Sequence, residues 1–316
     1  MDRAVKTFQS AVPPLEDYIE VVRKVTKRKE VVEEVERIVP LARRLNGIRI
    51  LEINSTAVGG GVAEMLYSSV PFLNRLGIRD EWRVIQGNEA FFKVTKILHN
   101  FLQGKCKEGD ILDPEMQGIY YDTLLENVKT NVIEPQADVV IVHDPQPMGL
   151  AHFLKRGELW LWRCHIDIEE TYLNRHPVLR EFLNFWIKDY EASIFSAAHY
   201  IISRWPLPKF IIPPFIDPFS IKNRELSPEE IDQVLEKYQI DPRIPIVLQV
   251  GRFDPWKGLP DAIRIFRRVR EKETCQLVLA GGMAADDPEG EVVLERIQTE
   301  AADDPDIHII ELPTSD

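Results

Sequence analysis

The chain has 316 residues, with 39 Lys+Arg against 51 Asp+Glu and a formal charge of −12 at pH 7. That length suggests two domains and at least one large core, and the acidic balance repels a polyanionic backbone, which argues against nucleic acid as a partner. Three scattered cysteines (Cys106, Cys164, Cys275) offer no disulfide framework or Cys-x-x-Cys metal pair, and with a charged N-terminal stretch and no run approaching ~20 apolar residues the sequence predicts a cytoplasmic protein outside the membrane.

From about Leu15 to Leu45 the chain is rich in Glu, Lys, Arg and Val, with apolar Ile19, Val22, Val25, Val31, Val35 and Ile38 at helical spacing. This is an amphipathic arm for packing on the body or on a second subunit, the latter giving a homodimer. Ile48–Ile53 (IRILEI) then reads as a short buried strand. Asn54–Gly61 is its loop, and the helix after it places Val62, Met65, Leu66, Val70 and Leu73 on one face. Strand, glycine loop and helix form one α/β unit. Further strands are predicted at Trp82–Gln86, Asp138–Val142, Leu159–Arg163 and Tyr200–Ser203, spaced widely enough for helices between them. The alternation predicts an α/β fold with a mostly parallel, doubly wound sheet.

Ile211–Ser220 (IIPPFIDPFS) breaks the rhythm, because proline donates no ladder hydrogen bond and forces its predecessor into an extended conformation. A domain boundary is placed there, giving residues 1–215 and 216–316. Beyond it follow a helix at Pro228–Tyr238, a strand at Ile246–Val250, a helix at about Pro260–Glu271 and a strand at Gln276–Ala280 that ends in Gly281-Gly282. One more helix and the strand His308–Glu311 complete the pattern. So few strands make a small open sheet with an exposed edge, so the second domain is expected to be incomplete.

Ligands of open α/β sheets sit at the carboxyl ends of the strands, where the notable loops fall. In AVGGGVAE a Gly-x-Gly-x-x-Gly fingerprint starting at Gly59 would need glycine at Glu64, and the next strand ends in Gly87-Asn88 without the ribose-binding acid, which argues against NAD. Gly59, Gly60 and Gly61 still let backbone N–H groups approach an anion or sugar at a helix N-terminus; the competing reading is a plain tight turn. GRFDPWKG (Gly251–Gly258) lacks the P-loop pattern, yet it sets Arg252 and Lys257 between a buried strand and a helix. A forked guanidinium, a mobile ammonium and a helix start suit a diphosphate. Asp254 is placed to pair with either cation, and Trp256 is read as a packing residue.

His143 ends one strand and His165 another; His165 is the preferred functional histidine, and His143 is equally well read as structural. His143, Asp144, His165 and Asp167 would suit a hard metal ion only if the two strand ends converge. Asp304–Asp306 is a literal Asp-x-Asp that surface solvation explains better than a metal site. Nothing resembles Gly-x-Ser-x-Gly, and the aromatics Phe91, Phe92, Phe101 and Tyr120 are better explained by core packing than by a substrate wall.

Taken together, GRFDPWKG before an amphipathic helix, VGGGVAEML after the first strand, and the strand-terminal HDPQP and RCHIDIEE resemble retaining glycosyltransferases of family 4. With PPFIDP, Lys222-Asn223 and DDPEG added, the chain is similar to the trehalose-forming members, from about Gly47 to about Gly290. The resemblance implies the GT-B fold, two Rossmann-like domains facing an interdomain cleft. It implies a nucleoside diphosphate-glucose (UDP- or ADP-glucose) as donor and glucose as acceptor, forming trehalose reversibly, with no cofactor and no metal normally required. It also assigns roles: Arg252 and Lys257 to the diphosphate, His165 to the donor hexose, Gly60 and Gly61 to the diphosphate and acceptor. His143, Asp167 and Gly59 join the substrate set, and Gly281 and Gly282 border the nucleotide.

One family feature is missing. The family uses a Glu-x7-Glu motif in the C-terminal domain, and the only literal match, Glu126 and Glu134, lies in the first domain without its usual context. The chain is therefore expected to stop before the motif. Other hexosyl transfer, a sugar-nucleotide epimerase and a non-catalytic sugar-nucleotide binding or assembly module are the alternatives.

Overall fold

The computed structural model describes residues 19–20, 22–24, 29–58, 60–105, 112–130, 136–216, 222–223, 225–282, 289–302 and 304–312. The chain divides into two compact units, Met1–Ala57 with Gly61–Asp217, and Pro218–Asp316 with Val58–Gly60. Each carries one parallel sheet.

The first unit holds β1 (Arg49–Asn54), β2 (Arg79–Val84), β3 (Val139–His143), β4 (Leu159–Cys164), β5 (Ala192–Phe195) and β6 (Lys209–Ile211). All pairs are parallel, in the order β2-β1-β3-β4-β5-β6. The order turns back at β1, so the chain leaves β1 and β3 in opposite directions and a crevice opens at their carboxyl ends.

The register divides the sheet into two unlike faces. Leu51, Ile53, Val140, Val142, Trp160 and Trp162 share the first and are buried. The helices Glu89–Leu102, Pro114–Lys129 and Pro177–Ile187 cover that face with Phe91, Leu98, Tyr120, Leu124, Leu183 and Trp186. Phe91, Phe101 and Tyr120 are core residues, and Phe92 packs against them. The second face carries Asp80 and Trp82 of β2, Glu52 and Asn54 of β1, His143 of β3 and Arg163 of β4. The helix Gly61–Arg75 lays Ala63, Leu66 and Val70 against Trp82. Of the N-terminal arm, Lys29–Arg44 is helical, and Ala42 is buried.

Two of the predicted strands need correction. The segment predicted as a strand at Tyr200–Ser203 instead begins as a 3-10 turn, Ala198–Tyr200, and Ile202 and Trp205 plug into the core. The strands flank it. ASIF (β5) is buried at every position and shows no alternation to read, while KFI (β6) is a short edge strand that stops where prolines begin. The strand expected at Trp82–Gln86 starts earlier, at Arg79, because the charged Arg79-Asp80-Glu81 hides it from a hydrophobic pattern.

In the second unit β7 (Ile246–Val250), β8 (Gln276–Gly281) and β9 (Ile307–Glu311) pair in parallel, with β8 central. Leu277 and Leu279 of β8 pack against Leu259, Ile263 and Phe266 of the helix Leu259–Arg270 and against Val293 and Ile297 of the helix Gly290–Ala301. Ile246, Val247, Leu248 and Val250 of β7 are exposed, in keeping with a small open sheet. Asp304 and Asp306 are not simply solvated as expected: Arg270 donates to both carboxylate oxygens of Asp304, at 2.5 and 2.9 Å, and to Asp306 at 3.0 Å. The acidic turn clamps the helix Leu259–Arg270 to the start of β9. No helix among the described residues is long and apolar enough to cross a membrane.

Asp80 is the costliest group on the polar face. Both of its carboxylate oxygens are buried without a hydrogen-bond partner, and burial, with the charge of Glu52, pushes its pKa up to about 9. A carboxyl whose folded pKa is raised stabilises the fold below its unfolded pKa and loses that contribution as pH rises toward the folded value. Asp80→Asn is therefore expected to gain stability over the wild type between pH 5 and 8, by at most roughly 1.4 kcal/mol per pH unit. Urea unfolding at pH 5, 6.5 and 8 measures it; a gap between the two proteins that does not widen with pH would show that Asp80 is ionised in the folded chain.

Candidate active site

The crevice of the first sheet begins at Asn54, the buried last residue of β1. Its side-chain oxygen accepts from the Trp82 indole at 2.8 Å and its amide donates to the Thr56 carbonyl at 2.7 Å, so the glycine loop leaves the sheet on a fixed course. Gly59 lies outside the described residues. Gly61 opens the helix Gly61–Arg75, whose first turn carries Glu64. A Cβ added at Gly60 or Gly61 would meet nothing within 4 Å. Packing against the described residues therefore does not account for either glycine.

The exits of β3 and β4 are joined by Asp144. It adopts a left-handed conformation (φ 62°), which costs a non-glycine residue energy unless its surroundings hold it. Here its N–H donates to the Arg163 carbonyl at 2.9 Å, its carbonyl accepts from the Trp162 indole at 3.0 Å, and its carboxylate accepts from the His165 N–H at 2.7 Å. Behind it, Tyr120 donates to the Pro145 carbonyl and accepts from the Gly149 N–H, and Tyr190 donates to the Met148 carbonyl. Burial raises both phenols, so they stay neutral and able to donate.

This clamp brings the two histidines together. His143 Nδ1 lies 2.9 Å from His165 Nε2, the rings are within 7° of parallel, and His143 Nε2 lies 2.7 Å from Glu52 Oε2. His143 is 1% exposed and Glu52 4%. Both nitrogens of His143 are thus engaged by protein side chains, which leaves neither for a ligand. His165 is half-buried, and its remaining nitrogen, Nδ1, lies 3.4 Å from Ser196 Oγ. Burial above all presses its pKa down to about 2, so it is a neutral imidazole. The Arg163 guanidinium is largely buried, with Nε and Nη2 unpartnered. Burial lowers its pKa, while the charges of Glu52 and Asp144 oppose that shift.

The strand ends do converge, but in a hydrogen-bonded chain: among the described residues no group of three or more His, Cys, Asp or Glu side chains could hold a metal ion. Asp167 is exposed in the loop two residues beyond His165.

The second unit carries the cationic loop. After β7, Gly251 donates to the Ala280 carbonyl and Phe253 to that of Gly282, which ties the loop to the end of β8. A Cβ on Gly281 would stand 2.0 Å from the Gly251 oxygen, and one on Gly282 3.1 Å from the Leu312 oxygen. Both positions serve this close approach of backbones. Asp254 is buried; its carboxylate accepts from the Trp256 N–H at 2.8 Å and lies 3.7 Å from Arg252 Nη2. A 3-10 turn, Pro255–Lys257, and Gly258 in the left-handed region (φ 63°) then deliver the chain into the helix Leu259–Arg270. The stem of Lys257 passes 3.9 Å from the Cβ position of Gly251, and Gln249 donates to the Lys257 carbonyl. Arg252 is 39% exposed, and Trp256 lies at the surface. One rigid turn therefore carries both cations at a helix start.

The structure brings His143 to His165 in the first unit, and in the second it sets Arg252 and Lys257 in one loop. Glu52, Asn54 and Arg163 escaped the sequence reading. In RILEIN, Glu52 and Asn54 are two residues apart and therefore on one strand face, a period-two signal inside an otherwise apolar strand.

A parallel α/β sheet with this switch point, followed in the chain by a second parallel α/β unit, is the plan of the GT-B fold class. The solved trehalose-6-phosphate synthase structure from E. coli with UDP-2-fluoro glucose shares the fold: its TM-score is 0.63 at 13% identity, over 84% of this chain and 74% of that one. The family model described as trehalose synthase, N-terminal domain, matches residues 52–202. A trehalose synthase from Pyrococcus horikoshii is 42% identical over 308 residues, 97% of this chain and 71% of the relative. More distantly, a trehalose phosphorylase from Pleurotus pulmonarius is 26% identical over 312 residues, 85% of this chain and 42% of the relative. The chain belongs to the trehalose synthase family and is a trehalose-related glycosyltransferase.

Gly60→Ala and Gly61→Ala are each expected to leave stability within about 0.5–1 kcal/mol of wild type, with any gain from the lower entropy of the unfolded chain. Binding of donor or acceptor sugar should nevertheless weaken. Thermal unfolding together with calorimetry checks both halves, and unchanged sugar binding would return the glycines to a plain turn.

Proposed function

We propose that the protein transfers glucose from a nucleoside diphosphate-glucose, UDP- or ADP-glucose, to glucose, forming α,α-1,1-linked trehalose reversibly and with retention at the donor carbon. Identity of 42% to a trehalose synthase over nearly the whole chain carries this reading. The cationic turn supports it chemically.

On this reading the diphosphate rests on Arg252 and Lys257 at the start of the helix Leu259–Arg270, while His165 receives a hydroxyl of the donor hexose. Gly60 and Gly61 admit the sugar closely, and Asp167 flanks it. The anomeric carbon–oxygen bond to the diphosphate breaks as the bond to the acceptor oxygen forms, and the acceptor's proton passes to the departing diphosphate oxygen. Negative charge gathers on the leaving group, so cations already aimed at it lower the barrier without reorganising. The scheme calls for no cofactor.

The phosphorylase relative favours one competing reading, in which inorganic phosphate occupies the cationic turn and trehalose is cleaved to glucose phosphate. Incubating the protein with UDP- or ADP-glucose plus glucose, and separately with trehalose plus phosphate, distinguishes the two by product. Trehalose from the first mixture supports transfer. Glucose phosphate from the second alone sinks it.

Replacing both Arg252 and Lys257 by Ala is expected to weaken nucleoside diphosphate binding by several kcal/mol, since charge-assisted contacts contribute roughly 1.5–3 kcal/mol each. Equal affinity in calorimetry would falsify the diphosphate assignment. His165→Ala should lower kcat far more than nucleotide affinity; parallel losses would mark it as structural.

A further inference from the structure

We infer that Glu52 and His143 are positioning residues that fix which ring nitrogen of His165 carries its proton, so that His165 presents a bare Nδ1 as a hydrogen-bond acceptor. This rests on the reading that His165 meets a sugar hydroxyl, and adds the direction of that hydrogen bond.

The argument is one of proton counting. A carboxylate can only accept, so the 2.7 Å contact to Glu52 uses the Nε2–H of His143. With its one ring proton placed there, His143 has a lone pair at Nδ1. The 2.9 Å contact to His165 requires one proton, which His165 must supply from Nε2. His165 is neutral, so its Nδ1 is left bare and can accept from a hydroxyl, with Ser196 Oγ 3.4 Å away. The alternative is an imidazolium at His143, in which one added proton sits on its Nδ1, His165 Nε2 accepts it, and His165 Nδ1 becomes a donor. That would bury a second cation beside Arg163, which neighbours His143 in the register and already interacts with Glu52 and Asp144. With Asp80 protonated, the Glu52 charge is met by Arg163, and a neutral imidazole completes the set. Glu52 and His143 are both buried and lie behind His165 in the hydrogen-bonded chain, so both act through it.

The test has a readout that does not depend on activity. Nitrogen-15 NMR of ring-labelled histidine in the unliganded wild type distinguishes protonated from bare ring nitrogens, with His165→Gln used only to assign the signals. Nε2 protonated and Nδ1 bare in His165 is the expected result; a proton on Nδ1 overturns the inference. Glu52→Gln is a second arm, because its side chain can donate or accept at His143 and so removes the lock. It is expected to leave nucleotide binding unchanged, to give His165 mixed tautomers, and to lower kcat by roughly tenfold or more, the scale of one misdirected hydrogen bond. A single unchanged tautomer in a folded Glu52→Gln protein also overturns the inference. If the NMR result holds while no trehalose is formed, the functional reading fails and the relay stands.

Discussion

The constraint on which the first unit depends is the burial of the Glu52 carboxylate. Taking an ionised carboxylate out of water costs several kcal/mol even after relaxation, so it persists only where partners surround it. In this sheet the partners come from the next two strands over: an imidazole on β3 at hydrogen-bond distance and a guanidinium on β4 acting through charge. Because the strands are parallel and in fixed register, the partners of Glu52 fall at the ends of β3 and β4. His165 is therefore held from two sides, by the chain that begins at Glu52 and by the Asp144 clamp in the loops.

The second unit solves a different problem with backbone packing. Two cations in one short loop repel each other and would spread if the loop were free. Gly281 lets the Gly251 carbonyl press into the end of β8, and the Asp254 carboxylate both accepts from the Trp256 N–H and stands near Arg252. The turn is held before any anion arrives. Preorganisation of that kind is what makes a charged site worth more to a developing charge than mobile surface lysines would be.

Much of this was legible in the sequence, and the part that was not has a physical cause. Strands that alternate or run apolar, such as VVIVH and IVLQV, were read within a residue, as were the glycine loop and the cationic turn, since each follows a strand directly. ASIF and KFI were missed because one is buried on both faces and the other is three residues long. In the site, His165 stood out by position. His143 stood out with it, but Glu52 and Arg163 did not, because they lie 91 residues before and 20 residues after His143 and meet it only through register. A buried Glu in a strand looks like a lapse in hydrophobic patterning until its neighbours are known.

The two devices divide the chemistry sensibly if the proposed transfer is right. Charge builds at the departing diphosphate, so that end calls for full cations in a turn that already has its shape. Positive character builds at the sugar's anomeric carbon, and a cationic histidine beside the hexose would oppose it. A histidine kept neutral by burial can still orient the hexose through a single hydrogen bond without adding charge where it would raise the barrier. The polar face of the sheet thus has a reason to be buried. Exposed to water, the same histidine would titrate near neutrality, and the sugar would meet a cation in part of the population.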